Sequence, residues 1–500
     1  MHVEKIQIFL EYADKTFASN EVECAFVRIL GNAAVSVAAM AAFISALRAT
    51  CGGNLDNPYV RSPIRRGRRL PKVWFVNRFF WPDYSATSQL LTDLAFRLAS
   101  EGLEIGVICS RDGYDNPRAR LPAFECYNGV EIHRVVQPRF GRGRLLGRAV
   151  DCLSMYAGFA AALAMRARPG DIVVGKTDPP MLSAAIAPVA RLRGLSQINW
   201  LQDLYPEVAL GLGLDALRPL APLLFALRDW SLAGAFNVTV GEGMAERVAR
   251  RRISRDRIAC IPNWCDEIRL AGADDAAQRL RARWGLQGKF VLGYCGNLGR
   301  AHEFDTLLGA AERLRGREDI VFLFVGGGHL TPKLQAEVGR RGLARAFRFQ
   351  PYQPAGRLAA TLSAADAHWV SLRPEMEGLI VPSKFYAAAA AGRPIVAAVD
   401  ERGELAELVR RHDCGRVAPP GDPAAFAAAV LALSDDPARR ERLGRNARAM
   451  IENEFPRERA LDAWVTRLEQ VARAGASTNF AEPRDAQGLA VRSVLQRESV

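Results

Sequence analysis

The chain has few of the residue patterns that build metal centres or disulfide frameworks. Its 500 residues include nine cysteines, but no two of them form a CxxC pair. The closest two, Cys260 and Cys265, have no histidine cluster beside them. We therefore expect no metal site and no disulfide framework, and reduced thiols, as in the cytoplasm.

The first 71 residues lack the pattern of a signal peptide, because acidic and aromatic residues follow Met1. Residues 29–47 form an uncharged, Ala-rich run that barely reaches the ~20 apolar residues needed to cross a bilayer. Three interpretations of residues 1–71 stay open: a marginal membrane anchor, a poorly ordered helical extension, or an upstream stretch included by a misplaced start codon. Residues 61–72 are rich in arginine and indicate a basic linker.

The charge is unbalanced, although the composition is that of an ordinary globular protein. The formal net charge is +13, with 49% hydrophobic and 24% charged residues. A basic balance favours anionic partners such as nucleic acid, acidic lipid headgroups or phosphorylated substrates. The sequence contains neither a recognition helix nor a surface of interleaved basic and aromatic residues, so nucleic acid is not expected as a partner.

Short apolar runs alternate with helical patterns, and the alternation restarts near Lys289. Repeated strand–helix order predicts a parallel sheet covered by helices, so the fold class is α/β. Two such domains are expected, at residues 72–262 and 263–455. A last helix follows at residues 456–474, and the polar residues 475–500 are expected to be a disordered tail.

A glycine-rich segment, residues 293–303 (GYCGNLGRAHE), follows a predicted strand and opens a predicted helix. Gly296 and Gly299 let the backbone approach a phosphate, and a helix N-terminus offers unpaired N–H groups. Arg300 would add a full positive charge. The same glycines also suit a tight turn with no ligand, and that alternative stays open.

A second segment, residues 377–386 (EGLIVPSKFY), leads into a run of five alanines. Ser383 is a natural N-cap, so a short helix is expected to carry Lys384 at its N-terminus. Lys384 and Arg300 could neutralise a diphosphate without a metal ion, and Glu377 could accept hydrogen bonds from sugar hydroxyls. The alternative is a plain core helix with a capping serine and a solvated lysine.

In the first domain, residues 199–207 (NWLQDLYPE) lie at the carboxyl end of a predicted strand, where open α/β sheets bind ligands. Asp203 and Glu207 are candidates for contact with a sugar ring or for polarising a hydroxyl. Asn77 and Asp83 follow the first strand and should face the same cleft. Alternatively, Asp203 only caps the next element.

A basic and apolar segment indicates a possible membrane contact. Four arginines between residues 139 and 148 precede an Ala-rich stretch that ends at Arg166 and Arg168. A basic amphipathic helix of this type can lie on an anionic bilayer. A solvated helix face is the alternative.

Taken together, these motifs resemble the GT4 family of retaining glycosyltransferases with the GT-B fold, in particular its bacterial colanic-acid and O-antigen branch, called WcaI-like or WbuB-like. The resemblance covers about residues 72–470. The matching phrases are NRFFWPDYSATSQLLTDLAFRLA, KTDPPMLS, NWLQDLYPE, GNLGRAHEFDTLL, FVGGGH and EGLIVPSKFY, in family order.

The resemblance implies two Rossmann-like domains whose parallel sheets face each other across a cleft. The C-terminal domain would bind the nucleotide-sugar, the N-terminal domain the acceptor, and the helix near Trp464 would cross back to the first domain. Transfer would retain the anomeric configuration and need neither metal nor cofactor, because the nucleotide-sugar is a substrate. The acceptor would be a lipid-linked saccharide, so the protein would lie on the anionic inner face of the cytoplasmic membrane.

The resemblance also bears on single residues. Glu377 matches the first glutamate of the family's paired-glutamate motif, and Asp203 matches a position near the transferred sugar. The expected catalytic residues are Asp203, Glu377, Arg300 and Lys384. Expected donor-binding residues are Gly296, Asn297, Gly299, His302, Gly327, Tyr352, Gly378, Leu379 and Ser383, and expected acceptor-side residues are Asn77, Asp83 and Glu207.

Two positions depart from the family pattern. The second glutamate of the pair, which holds the ribose, falls at Ala387, and the usual arginine and lysine after the glycine loop fall at Asn297 and His302. Two rival functions therefore stay open. One is a non-hydrolysing nucleotide-sugar epimerase with the same two-domain build, and the other is a catalytically silent binding protein.

Overall fold

The computed structural model describes residues 71–83, 85–113, 121–136, 145–265 and 273–478. The candidate anchor at residues 29–47, the basic linker up to residue 70 and the tail beyond residue 478 lie outside the described residues.

The first lobe is built on an eight-stranded sheet. Its strands are β1 Val73–Val76, β2 Ile105–Ser110, β3 Phe124–Tyr127, β4 Val130–Val135, β5 Ile172–Lys176, β6 Ser196–Leu201, β7 Phe236–Thr239 and β8 Ile258–Cys260. They are ordered β3-β4-β2-β1-β5-β6-β7-β8, and every pair is parallel except the edge pair β3–β4.

The second lobe is built on a six-stranded sheet that is parallel throughout. Its strands are β9 Phe290–Asn297, β10 Ile320–Gly327, β11 Phe347–Gln350, β12 Ala367–Ser371, β13 Ile395–Ala398 and β14 Gly415–Ala418, ordered β11-β10-β9-β12-β13-β14. The predicted α/β class with two parallel sheets is confirmed. The sequence analysis missed β3 and β14, because both are four-residue edge strands with partly exposed positions.

Helices connect the strands. In chain order they are α1 Ala86–Ser100, α2 Leu145–Arg166, α3 Leu182–Leu192, α4 Glu207–Gly211, α5 Ala221–Ala233, α6 Glu242–Ala249, α7 Asp274–Arg283, α8 Asp305–Arg313, α9 Thr331–Arg340, α10 Leu358–Ser363, α11 Lys384–Ala390, α12 Glu404–Arg411, α13 Pro423–Ser434, α14 Pro437–Glu454 and α15 Arg457–Thr478. Most central strands are buried along their whole length, because helices cover both faces of a parallel sheet.

The last helix, α15, packs against the first lobe although it follows the second. Trp464 is fully buried, and its ring centroid lies 4.6 Å from that of Trp200 in β6. Arg457 also forms an ion pair with Asp93 of α1 at 3.2 Å. The helix runs to Thr478, past Gly475, where loss of regular structure was expected.

Candidate active site

Two glycine loops meet at the carboxyl edge of the second sheet. β9 and β10 pair in parallel, so that Gly296 lies beside Gly326. A Cβ on Gly326 would come within 2.4 Å of the Gly296 carbonyl oxygen, and a Cβ on Gly328 within 2.4 Å of the Leu298 nitrogen. All three glycines also have positive φ, so glycine is required there. At these positions, the backbone of both loops is therefore not covered by side chains of its own.

Lys384 lies across the first of these loops. A Cβ on Gly296 would lie 2.4 Å from Cε and 3.1 Å from Nζ of Lys384. Burial lowers the pKa of Lys384 below its usual value. Among the described residues the ammonium has no carboxylate in ion-pair distance, so it is a partly desolvated cation beside exposed backbone. This is an arrangement that favours a bound phosphate.

A cavity of about 200 Å³ opens beside the glycine loops. It is lined by Tyr294, Gly296, Leu298, Phe324, Val325, Gly326, Gly327, Thr331, Gln335, Phe349, Gln350 and Pro351. The ring of Tyr352 covers its edge, because a Cβ on Gly326 or Gly327 would lie 3.2–3.3 Å from ring atoms. Its lining combines aromatic and aliphatic side chains with glycine backbone and the polar side chains of Thr331, Gln335 and Gln350, a mixture that suits a small ligand. Gln335 and Thr331 were missed from the sequence, since an amphipathic helix gives no sign of which turn faces a cavity.

The helix that follows the first glycine loop has an acidic first turn. α8 begins at Asp305, with the Glu303 carboxylate already accepting the Thr306 N–H at 2.8 Å. One of the N–H groups expected to be unpaired, that of Thr306, is therefore occupied, and Asp305 adds a second acidic group to the first turn. Arg300 lies before this helix and is exposed, with no ion-pair partner in the described part of the chain.

His302 and Ser383 lie near the loops. His302 is held by two hydrogen bonds, and Ser383 lacks the capping hydrogen bond that was expected of it. Nδ1 of His302 lies 2.9 Å from the Ser371 carbonyl oxygen, and Nε2 lies 3.2 Å from the Tyr294 hydroxyl. Burial lowers the pKa of His302 to about 4, so the ring is neutral at neutral pH and carries no charge to a phosphate. Ser383 stands at the N-cap position of α11, but its side chain makes no capping hydrogen bond.

Glu377 lies on the loop that reaches the first lobe. Its carboxylate accepts the backbone N–H of Glu404, the first residue of α12, at 2.9 Å. Its carbonyl oxygen accepts a hydrogen bond of 2.7 Å from Arg247 of the first lobe. The neighbouring Gly378 has a φ of +68°, and a Cβ there would meet Arg247 Nε at 2.8 Å. Burial raises the pKa of Glu377 from its usual value.

The two lobes contact each other through this same loop. The Leu379 carbonyl accepts the Leu204 N–H at 3.0 Å, and Asp203 forms an isolated antiparallel bridge with Ile380. Asp203 thus lies at the carboxyl end of β6, directly opposite the Glu377 loop. The carboxyl edges of both sheets face each other across the junction, which is where open α/β sheets bind ligands.

Asp203 belongs to a cluster of ionisable groups that the sequence analysis did not identify. Lys176 is the last residue of the neighbouring strand β5, and Asp178 follows it. Burial, and then the charge of Asp178, raise the pKa of Asp203 to about 7, while Lys176 opposes the shift. Burial also raises the pKa of Asp178 to about 6. Lys176 donates to the Thr87 carbonyl at 2.8 Å and lies 3.8 Å from the Trp200 ring centroid.

Both lobes match families of known proteins. A family model described as "Glycosyl transferase 4-like domain" matches residues 86–264, and one described as "Glycosyl transferases group 1" matches residues 289–436. The chain belongs to the glycosyltransferases. The two matches fall on the two sheets, one on each lobe.

Relatives and solved structures agree with this assignment. This glycosyltransferase is 28% identical to WbjE of Pseudomonas aeruginosa, named as a probable glycosyltransferase, over 72% of this chain and 88% of the relative. It is 27% identical to WcaI of Escherichia coli, named as a colanic acid biosynthesis glycosyl transferase, over 50% and 62%. Anabaena HepE in complex with UDP superposes with a TM-score of 0.57 at 15% identity, covering 82% of this chain and 99% of that one. A sucrose-phosphate synthase from Thermosynechococcus elongatus gives 0.64 at 19% identity, with 81% and 100% covered. The fold is GT-B.

The three predicted acceptor-side residues of the glycosyltransferase have structural partners. Asn77 is fully buried and donates to the Phe79 carbonyl at 2.7 Å. Asp83 accepts the Ser85 N–H at 2.8 Å just before α1. Glu207 accepts two hydrogen bonds from Arg228 at 2.9 Å and one from Arg251 at 3.1 Å. Of the first-lobe candidates, only Asp203 faces the second lobe in these contacts.

The predicted membrane segment of the glycosyltransferase begins in undescribed residues and continues into α2. One apolar side of α2 is buried, since Met155, Phe159 and Leu163 pack into the first lobe, whereas Leu153, Ala157 and Met165 are exposed on another side. The predicted contact of this segment with a membrane stays a prediction. Within the described ranges, no helix combines the length and apolar character that a membrane span requires.

Proposed function

We propose that this glycosyltransferase moves a sugar from a UDP- or GDP-linked donor to a lipid-linked saccharide acceptor in bacterial surface polysaccharide synthesis. Transfer retains the anomeric configuration and needs no metal or cofactor. The enzyme works peripherally at the inner face of the cytoplasmic membrane. The relative named for colanic acid biosynthesis supports the pathway class, and the neighbour solved with UDP supports the donor class.

The observation that carries the proposal is the position of Lys384 across Gly296, beside the bare loop that holds Gly326. A diphosphate placed there meets a desolvated cation and backbone without side chains. Arg300, exposed on the same loop, supplies a second cation. Negative charge develops on the diphosphate as the sugar leaves, and groups already aimed at that place lower the barrier.

The other half of the reaction belongs to the opposite lobe. Asp203 lies across from the Glu377 loop, and its raised pKa leaves it able to exchange a proton near neutral pH. In this proposal Asp203 orients the acceptor hydroxyl. The Glu377 carboxylate accepts a hydrogen bond from a hydroxyl of the donor sugar, through lone pairs that the Glu404 N–H leaves free.

A donor screen tests the proposal. Melting temperatures are measured with a panel of UDP- and GDP-sugars, and a true donor at saturation should raise stability by a few kcal/mol. The stabilising donor is then incubated with lipid extract, and sugar transfer is followed by mass spectrometry. Arg300→Ala should reduce transfer by at least about tenfold, since it removes a charge–charge contact in the transition state. Arg283→Ala, an exposed arginine at the end of α7, is the control.

Two results would contradict the proposal. If no nucleotide-sugar stabilises the protein, the glycine loops do not bind a donor. If the donor is converted without any acceptor into an isomer of equal mass, the chain is an epimerase.

A further inference from the structure

A lysine is enclosed at the carboxyl edge of the first sheet. Lys176, the last residue of β5, is only 1% exposed. Its ammonium donates to the Thr87 carbonyl at 2.8 Å and lies 3.8 Å from the Trp200 ring centroid. Burying a charge is unfavourable unless other groups compensate it, so a lysine in this place calls for a role beyond packing.

Strand pairing places Asp178 and Asp203 on adjacent chain segments at that edge. β5 and β6 run parallel, and just past their ends the Thr177 hydroxyl accepts the Gln202 N–H at 3.2 Å. Each of the two acids is the next residue along its segment. Lys176 thus lies where a pair of carboxyl groups begins.

The lysine and the two acids interact electrostatically in a poorly solvated setting. Burial lowers the pKa of Lys176 well below its usual value, and the charges of Asp178 and Asp203 oppose this shift. Conversely, the charge of Lys176 opposes the rise that burial causes in the pKa of both acids. Within the described ranges, the ammonium has no carboxylate at ion-pair distance, so its charge acts on both acids instead of being bound to one.

Other ionisable groups around this pair come from the elements packed against it: Arg78 after β1, Asp83 before α1, Tyr156 on α2 and Tyr205 after β6. Arg78 and Asp83 act by their charges on Asp178, in opposite directions. Burial raises the pKa of both tyrosines, so they are neutral. The charges that act on Asp203 are those of Asp178 and Lys176, and of these two only Lys176 favours its ionised form.

The charge of Asp203 decides how it binds a hydroxyl group. A cavity of about 30 Å³ beside it, lined also by Thr177 and Tyr205, has space for a group of the size of a hydroxyl. A carboxylate only accepts hydrogen bonds, whereas a protonated acid can also donate one. Only the charged form therefore turns every hydroxyl that it binds with the hydrogen toward Asp203.

We infer that Lys176 is a positioning residue for sugar transfer: its ammonium keeps Asp203 in the charged form that orients the acceptor hydroxyl. The inference rests on the proposed function, in which Asp203 contacts the acceptor. Lys176 itself is enclosed beside the Thr87 carbonyl and the Trp200 ring, so it acts through Asp203 and does not touch the acceptor. Its loss should therefore change the pH dependence of transfer and leave donor binding intact.

Unfolding free energies measured across the pH range test the electrostatic step. Wild type, Lys176→Met and Asp178→Asn are each compared with the same protein carrying Asp203→Asn. In each pair the protein with Asp203→Asn gains stability over its parent as pH rises, and the gain stops growing at the pKa of Asp203 in the fold. This pH is about 7 in wild type. It should rise by about one unit in Lys176→Met, which removes a nearby cation, and fall by about one unit in Asp178→Asn, which removes a nearby anion.

Sugar transfer measured over the same range tests the functional step, with the donor found by the screen and lipid extract. The pH of half-maximal rate should shift as the unfolding data do, upward in Lys176→Met and downward in Asp178→Asn. Opposite shifts cannot come from a loosened structure, which lowers the rate at every pH. Lys176→Gln, which keeps a donor for the Thr87 carbonyl but no charge, should shift as Lys176→Met does. It serves in its place if the methionine variant does not fold.

Lys72→Met is the matched control. Lys72 is also buried, at 7% exposure, and its ammonium lies 4.6 Å from the ring centroid of Trp74, but it precedes β1 and so lies at the amino edge of the same sheet. Its variant should leave the pH midpoint of transfer unchanged.

The two measurements separate this inference from the proposed function. Unmoved pH midpoints in both, with lower stability or rate at every pH, would make Lys176 a structural residue and overturn the inference, while transfer by wild type still supports the function. Shifted unfolding midpoints without a shift in transfer would show that Asp203 does not orient the acceptor, which also overturns the inference. If wild type transfers no sugar from any donor, the proposed function fails, and with it the role of Lys176 in transfer.

Discussion

Lys384 is held across the Gly296 backbone without a carboxylate partner among the described residues. A desolvated ammonium in such a place is stabilised by whatever anion enters, because the burial that lowers its pKa also strengthens its attraction to charge. Binding of an anion should therefore stabilise the charged form of Lys384.

We expect Lys384→Met to weaken UDP binding about 10- to 100-fold, since a hydrogen bond to a charged group contributes roughly 1.5–3 kcal/mol. Isothermal titration calorimetry measures the change. Lys289→Met is the matched control, because Lys289 precedes β9 and lies at the opposite edge of the same sheet. Equal affinities for wild type and Lys384→Met would exclude contact with the diphosphate.

Asp203 predicts a dependence of stability on pH. Its pKa is 3.8 in an unperturbed chain and about 7 in the fold, so the folded state binds more protons between these values. Stability from this group is therefore lost as pH rises from about 4 to about 7. Asp203→Asn should therefore become increasingly more stable than wild type across this window. The difference in the free energy of unfolding should reach about 2 kcal/mol at pH 8, which is less than the full pKa shift would give because Asp203 is only partly buried. Asp275→Asn, on the exposed first turn of α7, should show no such trend; a flat Asp203→Asn difference would contradict the shift.

At the scale of elements, sequence pattern predicted the order of strands and helices and the segments that carry the glycine loops and Lys384. Those signals are local: apolar runs, glycines and helix caps. The contact of Lys384 with Gly296 could not be read from the sequence, because it depends on which loops neighbouring strands bring together. The same reason explains why Asp178 was missed and why the ion pair between Glu207 and Arg228 was not predicted.

Helix α15 illustrates how an element can stabilise the lobe that it does not follow. Trp464→Ala should destabilise the first lobe by about 3–5 kcal/mol, because it leaves a cavity against Trp200. Trp464→Phe should cost less. Urea unfolding followed by tryptophan fluorescence measures both, with Gln470→Ala on the exposed side of the same helix as control. An unchanged unfolding midpoint for Trp464→Ala would show that α15 contributes little to the first lobe.

At the scale of the whole molecule, a chain of hydrogen bonds links the lobes through Glu377. The Glu404 carboxylate accepts N–H groups of Glu242 and Gly243, at the start of α6 in the first lobe, at 3.0 and 2.9 Å. The Glu404 N–H in turn holds the Glu377 carboxylate, and Arg247 holds the Glu377 carbonyl. The loop that carries Glu377 is therefore held within the second lobe by Glu404 and from the first lobe by Arg247, and the Arg247 contact exists only when the lobes are together.

This arrangement predicts that Glu404 affects turnover more than donor binding. Glu404→Gln keeps the shape but removes the charge from two hydrogen bonds, each contributing roughly 1.5–3 kcal/mol, so the closed form should become less populated. The nucleoside diphosphate binds mainly to the second lobe in our proposal, so its affinity should change little while turnover falls at least about tenfold. X-ray scattering with UDP should give a larger radius of gyration for this variant than for wild type. Glu407→Gln, exposed on the same helix, should behave as wild type. If Glu404→Gln loses affinity and turnover in equal measure with unchanged scattering, Glu404 shapes the donor site itself and lobe closure does not depend on it.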